Sequence, residues 1–203
     1  MEDAITPRLA TADDIEAIVE TLTLAFADDP VWQPTLVRPT GSIEDARPFW
    51  RIMVHGAMRY PWVWVVDEAA AVAVWIPPGG VELTEEQYAE MIDLALERFG
   101  AAGRDYLLRV FELFESSHPR DEPHYYLTLL ATHPEHRGHG LGMALLRENL
   151  ARIDAEGMPA YLESSNPRND ARYQGVGFRP VVSFELPLDG VSVTGMWRPA
   201  RTA

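Results

Sequence analysis

Leu129-Leu130-Ala131-Thr132-His133-Pro134-Glu135-His136-Arg137-Gly138-His139-Gly140-Leu141-Gly142-Met143-Ala144-Leu145-Leu146 joins an apolar run, a glycine-rich loop and the start of an amphipathic segment. Tyr125 to Ala131 is almost wholly apolar, which predicts a strand buried on both faces. Met143, Leu146, Leu150 and Ile153 recur at helical spacing and predict a helix with one face on a sheet. Between strand and helix, Gly138, Gly140 and Gly142 let the backbone approach a ligand and turn its N–H groups toward it. The helix start adds partial positive charge, so the favoured ligand group is a phosphate or pyrophosphate. No Gly-Lys-Ser/Thr closes the loop, which excludes a Walker phosphate site.

Downstream, Gly157 and Pro159 end the helix and Ala160 to Glu163 reads as the next strand. Arg168 to Gly175 is a short helix. Val181 to Leu186 and Val191 to Trp197 are strands joined at Asp189-Gly190, the strongest hairpin signal in the chain. Upstream, Ile5 to Leu9 is a short strand, and Thr11 with Asp14 opens a helix whose buried face carries Ile15, Ile18, Val19, Leu22 and Phe26. Asp28-Asp29-Pro30 ends it, and Val31 to Gly41 reads as a loop. A helix spans Ile43 to Arg59, and Trp62 to Val66 with Ala70 to Ile76 forms a β-hairpin. Thr84 with Gln87 caps a further helix closed by Gly100, and another helical stretch carries Leu107, Leu108, Phe111 and Phe114.

The chain has 203 residues, 47% of them hydrophobic, which suits one domain with a sizeable core. No apolar run reaches membrane-spanning length and the N-terminus lacks a signal-peptide layout, so the expected location is the cytoplasm, with no membrane partner. Zero cysteines exclude disulfides, cysteine-ligated zinc and a cysteine nucleophile. A formal charge of −14 argues against nucleic acid as a partner and suits a cationic one, although acidic side chains also serve simply to solvate a surface.

Arg137-x-x-Gly140-x-Gly142 resembles the acyl-CoA pyrophosphate loop of the GNAT N-acetyltransferases. Asn166-Pro167-Arg168-Asn169-Asp170-Ala171-Arg172-Tyr173, followed by Gly177-Phe178, resembles the Asn-(x)6-Tyr-(x)3-Gly-Phe segment of that family, in the right order and at the right separation. Leu9-Ala10-Thr11-Ala12-Asp13-Asp14, Ala25-Phe26-Ala27-Asp28 and Ala71-Val72-Ala73-Val74-Trp75 are similar to the puromycin N-acetyltransferase-like branch. The resemblance implies one α+β domain over residues 1–203: a mixed, mostly antiparallel central sheet flanked by helices in three α/β/α layers. The helices between the hairpin and the central strand exceed the minimal core and fit either an acceptor-shaping insertion or the packing of a homodimer.

By the same resemblance, the chain uses acetyl-CoA as co-substrate and moves an acetyl group to a primary amine of a small molecule, with antibiotic-like amines among the candidates. The rival acceptor is a protein lysine or N-terminal amine. A third reading is a regulatory domain that binds acyl-CoA without turnover. Backbone groups of Leu130, Ala131 and Thr132 should pair with the pantetheine arm where the central strand splays from its neighbour. Arg137, Gly138, His139, Gly140, Leu141, Gly142 and Met143 should meet the pyrophosphate, and Asn166 the pantetheine or a water beside it. Tyr173 should face the leaving sulfur as general acid, while Gly175 should fray its helix by about 1 kcal/mol if it lies inside. Phe26, Trp32 and Tyr125 are the expected acceptor-lining aromatics. Glu163 is the named general base, with His124, Tyr125 and ordered water as alternatives. His133, His136 and His139 fall three apart, but in a glycine-rich loop they point in divergent directions, so no metal is expected.

Overall fold

The computed structural model describes residues 6–187 and 190–201. Its elements run β1 (Arg8–Leu9), α1 (Ile15–Ala25), α2 (Arg47–Ala57), β2 (Val63–Val66), β3 (Ala71–Ile76), α3 (Glu85–Ser117), β4 (Tyr125–Thr132), α4 (Leu141–Ala155), β5 (Ala160–Ser164), α5 (Asp170–Gln174), β6 (Arg179–Glu185) and β7 (Ser192–Arg198). The strands form one sheet in the order β1-β2-β3-β4-β5-β7-β6, and only β4 and β5 pair in parallel. Among the described residues no helix is long and apolar enough to cross a membrane.

Alternation along the strands sends side chains into two cores. Val63, Val65, Val72, Val74 and Ile76 pack with α1, α2 and the inner face of α3. Trp64, Val66, Ala73 and Trp75 pack with Leu145, Leu146, Leu150 and Ile153 of α4. The buried Trp75 indole donates to Asn149 Oδ1 at 2.9 Å, tying β3 to α4. Three layers result, as the sequence implied.

Local chemistry accounts for most element ends. The Thr11 N–H donates to Asp14 at 2.8 Å ahead of α1. Thr84 and Gln87 exchange bonds of 3.0 and 3.2 Å ahead of α3, the predicted capping box. Gly100, at φ 70° and ψ −176°, breaks α3 into the two expected helical runs without a loop between them. Several expectations are corrected. The first described strand is only Arg8–Leu9, with Ile5 outside the described residues. The segment read as a loop contains a π-helical turn, Gln33–Val37, which opens with Pro34 where a missing N–H costs nothing. The helix expected from Ile43 begins as a 3-10 turn and becomes α-helical at Arg47. The hairpin joins β6 and β7 as predicted, although Asp189 lies outside the described residues.

The largest correction concerns β4, whose residues alternate between buried and half-buried instead of being covered on both faces. Leu129 stands opposite Val74 and Leu127 opposite Trp75, so Thr128 is an extra residue, a β-bulge. The bulge resets the parity of the strand. Tyr125 and Leu127 face the α4 core, while Leu129 and Ala131 face the opposite one. The parallel ladder to β5 stops at the same place: its last pair is Leu127 and Leu162, yet β4 runs on to Thr132 and β5 to Ser164.

Candidate active site

Beyond Leu127 the two central strands part, from Thr128, two residues before the Leu130 to Thr132 stretch that the resemblance implied. The glycine loop sits at the far end of the opened strand. Gly138 and Gly140 take φ of 86° and 75°, left-handed values that disfavour side chains. Gly142 is needed for space: a Cβ there would lie 2.7 Å from Thr132 Oγ1. Gly140 caps α4 without a side chain, so the N–H groups of Leu141, Gly142 and Met143 open the helix with no intrahelical acceptor. An unpaired strand edge leading to a bare helix N-terminus fits a long ligand with amides along its length and an anionic end, as acetyl-CoA has. Arg137 and His139 are exposed; the Arg137 guanidinium donates to the Ala25 carbonyl at 3.0 Å and so ties the loop to the end of α1. Asn166 makes an Asx turn, its Oδ1 accepting from the Arg168 N–H at 3.1 Å.

On the α3 side of the sheet a cavity of about 930 Å³ is lined by Glu82, Glu163, His118, His124 and Tyr126, with Tyr88, Phe111 and Phe114 of α3 as an aromatic wall. Glu163 lies one residue beyond the last β4–β5 ladder pair, so it belongs to both the parted strands and the cavity. Its side chain is 2% exposed, and Oε1 lies 3.6 Å from His118 Nδ1 without a hydrogen-bond partner. Burial pushes the phenols of Tyr126 and Tyr161 far above their ordinary range, and the neighbouring Glu163 adds to it.

Glu82 enters this cluster from the strap between β3 and α3. Gly56 lets that strap lie on α2, because a Cβ there would come within 2.3 Å of the Glu82 carbonyl oxygen. Arg59 clamps it, bonding the Gly56 and Val81 carbonyls at 2.7 Å each, and Tyr60 Oη accepts from the Val81 N–H at 3.0 Å. Burial, then the Glu163 charge, push the Glu82 carboxyl up to about 8, against a hydrogen bond from Thr128 that lowers it. His118 Nε2 and His124 Nε2 are 3.0 Å apart, and His124 Nδ1 lies 2.7 Å from the Glu122 carbonyl. A carbonyl only accepts, so Nδ1 of His124 carries the proton and its Nε2 accepts from His118. Burial lowers the pKa of His124, which favours this neutral form.

Tyr173, on α5, packs on the α4 side against Phe178, their ring centroids 6.3 Å apart. Burial, then the charges of Asp29 and Asp170, push its phenol up to about 12. Asp29 accepts from the Val31 and Trp32 N–H groups at 2.9 and 3.2 Å and from Ser165 Oγ at 2.7 Å, pinning the loop after α1 to the end of β5. Gly175 is the C-cap of α5 and not an interior residue, so the expected fraying does not apply.

A sequence profile of the Acetyltransferase (GNAT) family matches residues 31–178. The chain belongs to the GNAT acetyltransferase family. Solved structures share the fold of this GNAT protein over nearly its full length. A Corynebacterium glutamicum protein described as histone acetyltransferase HPA2 and related acetyltransferase is 24% identical with a TM-score of 0.72, the match covering 98% of each chain. Arylalkylamine N-acetyltransferase 2 of Aedes aegypti is 14% identical at a TM-score of 0.68, covering 98% of this chain and 100% of its own. Polyamine N-acetyltransferase of Drosophila melanogaster is 14% identical at 0.66, covering 95% and 98%.

Set against the sequence expectations, the GNAT protein brings Glu163 and His124 into one cavity but places the three expected aromatics elsewhere. Tyr125 faces the α4 core, its ring 4.4 Å from Trp62 and its hydroxyl on Glu156 at 2.7 Å; Tyr126 takes the cavity side instead. Phe26 stacks on Trp50 at 5.1 Å, and Trp32 packs among Phe49, Trp50 and Phe114. Neither Phe26 nor Trp32 is among the cavity-lining residues; Trp32 reaches the cavity only through Phe114. Glu82, His118 and Asp29 were not singled out by sequence. Asp29 read as a helix stop, and Glu82 sits in a strap with no periodicity to mark it.

Proposed function

We propose that this GNAT protein is an acetyl-CoA-dependent N-acetyltransferase whose acceptor is a small primary amine. The observation that carries the proposal is the position of Glu163, at the parting of β4 and β5 and in the wall of the acidic cavity, where an amine in the cavity would meet a thioester held between the strands. Leu130, Ala131 and Thr132 would hold the pantetheine arm through their backbone. Gly138, Gly140, Leu141, Gly142 and Met143 would hold the pyrophosphate, with Arg137 and His139 around it, and Asn166 would meet the pantetheine or a water beside it. Acetyl-CoA supplies an acetyl thioester: a C–N bond forms, the C–S bond breaks, and the amine loses a proton while the sulfur gains one.

The side chains take the amine proton and stabilise the leaving thiolate, which takes its own proton from solvent. Glu82, once ionised near pH 8, can take the proton from the amine, and the nearby charge of Glu163 favours that uptake. The His118–His124 contact runs from Glu163 toward the Glu122 carbonyl, which ends it as a hydrogen-bond acceptor. Tyr173, held protonated at neutral pH, would donate a hydrogen bond to the sulfur as charge develops there; a phenol raised to about 12 is a poorer acid than the ordinary value near 10, which favours donation over complete transfer.

The test is a thioester-release assay with a panel of small amines and a histone-like peptide, at pH 6 and pH 8. Acetylation of small amines, faster at pH 8, is the expected result. Turnover of the peptide alone would replace this acceptor by a protein amine, and CoA binding without any release would leave a regulatory domain.

A further inference from the structure

The cavity extends past the Glu82–Glu163 pair to a rim on α3 and the segment that follows it. Glu112, Glu115 and Glu122 line that end, so with Glu82 and Glu163 five acidic side chains line the cavity against one lining guanidinium, Arg120; Glu112 also pairs with Arg109, which is not a lining residue. Arg120 is itself paired with Glu115. One amine at the deep pair does not account for the rest. The deep end carries a second observation: Glu163 lines the cavity with its side chain 2% exposed, and its buried Oε1 has no hydrogen-bond partner, only His118 Nδ1 at 3.6 Å. The acids form a track, since Glu82 senses both Glu163 and Glu115. Along it stand Tyr88, Phe111 and Phe114, apolar ring faces suited to methylenes and to a cation.

We propose that the acceptor carries two cationic ends, as a linear diamine or a guanidino-amine does: one amino group meets Glu82 and Glu163, the far cation meets the carboxylates of the α3 rim, and the chain between them lies along Tyr88, Phe111 and Phe114. This rests on the N-acetyltransferase function proposed above. One acetyl group is transferred, to the end at the deep pair, and that nitrogen gives up its proton as the thioester sulfur leaves. The far end keeps its proton, and the product departs as a monocation that the same acids hold less strongly.

The experiment compares 1,4-diaminobutane and 4-aminobutylguanidine with 1-aminobutane, by kcat/KM and by calorimetric affinity for the CoA-loaded protein. The wild type is set beside the triple variant Glu115→Gln/Glu122→Gln/Arg120→Gln, which removes two rim carboxylates and the guanidinium that Glu115 would otherwise leave unpaired, and keeps the Arg109–Glu112 pair. Both dications should exceed the monoamine about five- to tenfold, the size of one to two partly screened ion pairs, and added salt should narrow the gap. In the triple variant the ratio should fall to about two. Equal values for mono- and dications, no binding of either dication, or an unchanged ratio in the triple variant would each overturn the proposal. A binding preference for dications with no amine acetylated would defeat the enzymatic function while leaving the two-cation site standing.

Discussion

Glu82 and Tyr173 separate what a residue announces in sequence from what only its surroundings give it. Glu82 keeps its proton to about pH 8 when folded, against an ordinary value of 4.5. Between those values the folded state is the stronger proton binder, so the stability this gives is fully present below pH 4.5 and is lost as pH rises through 8. The melting temperature of Glu82→Gln should therefore fall less than that of the wild type between pH 5 and pH 8, as calorimetric scans would read. Its turnover should drop about 10²–10⁴-fold and lose the rise near pH 8, if the carboxylate takes the amine proton. Tyr173→Phe keeps the ring on Phe178 and removes only the hydroxyl, so turnover at saturating substrate should fall at least about tenfold with the melting temperature nearly unchanged; full turnover would take Tyr173 out of the reaction. Tyr173 was singled out because it sits in a fixed spacing with Asn166 and Gly177-Phe178. Glu82 was not, because its meaning comes from Gly56 and Arg59, which bring the strap down onto α2.

At the scale of elements, the strand–loop–helix unit carries the cofactor assignment. Gly140→Asp would put a side chain on a left-handed residue and a negative charge at the start of α4. CoA affinity by calorimetry should fall at least about tenfold with the fold retained; an unchanged affinity would remove the loop from the site. This unit could be read in advance because glycine spacing and helical periodicity are local properties. The bulge at Thr128 could not, since no single-strand pattern distinguishes an extra residue from an ordinary polar one. With that one residue inserted, Tyr125 falls on the α4 face and Tyr126 on the cavity face. The aromatic wall was misplaced for a related reason. Phe26 and Trp32 have the composition of a pocket, but Trp32 is buried among Phe49, Trp50 and Phe114 and the half-buried Phe26 stacks on Trp50, contacts that only the tertiary fold sets.

The whole molecule carries a charge of −14, and its cavity concentrates that sign. Raising ionic strength should therefore lower kcat/KM for the amine by slowing approach of a cation, while KM for acetyl-CoA should hold or improve as repulsion of its phosphates is screened. Opposite salt trends for the two substrates are the expected signature, and parallel trends would count against an electrostatic role for the cavity. Charge sign was plain from composition; that so much of it lines one hollow was not. The parting of β4 and β5 has a consequence for the sheet as a whole. Open edges normally lie at the margins of a sheet, where they invite pairing with other chains. Here an edge is exposed in the middle, with the strands on either side shielding it from intruders of protein size. Backbone amides of Thr128 to Thr132 that face β5 should exchange their hydrogens quickly in the free protein and slow markedly when CoA is added. The cofactor would then complete the secondary structure as a non-peptide strand, and the protein would reach its full complement of sheet hydrogen bonds only while it is loaded.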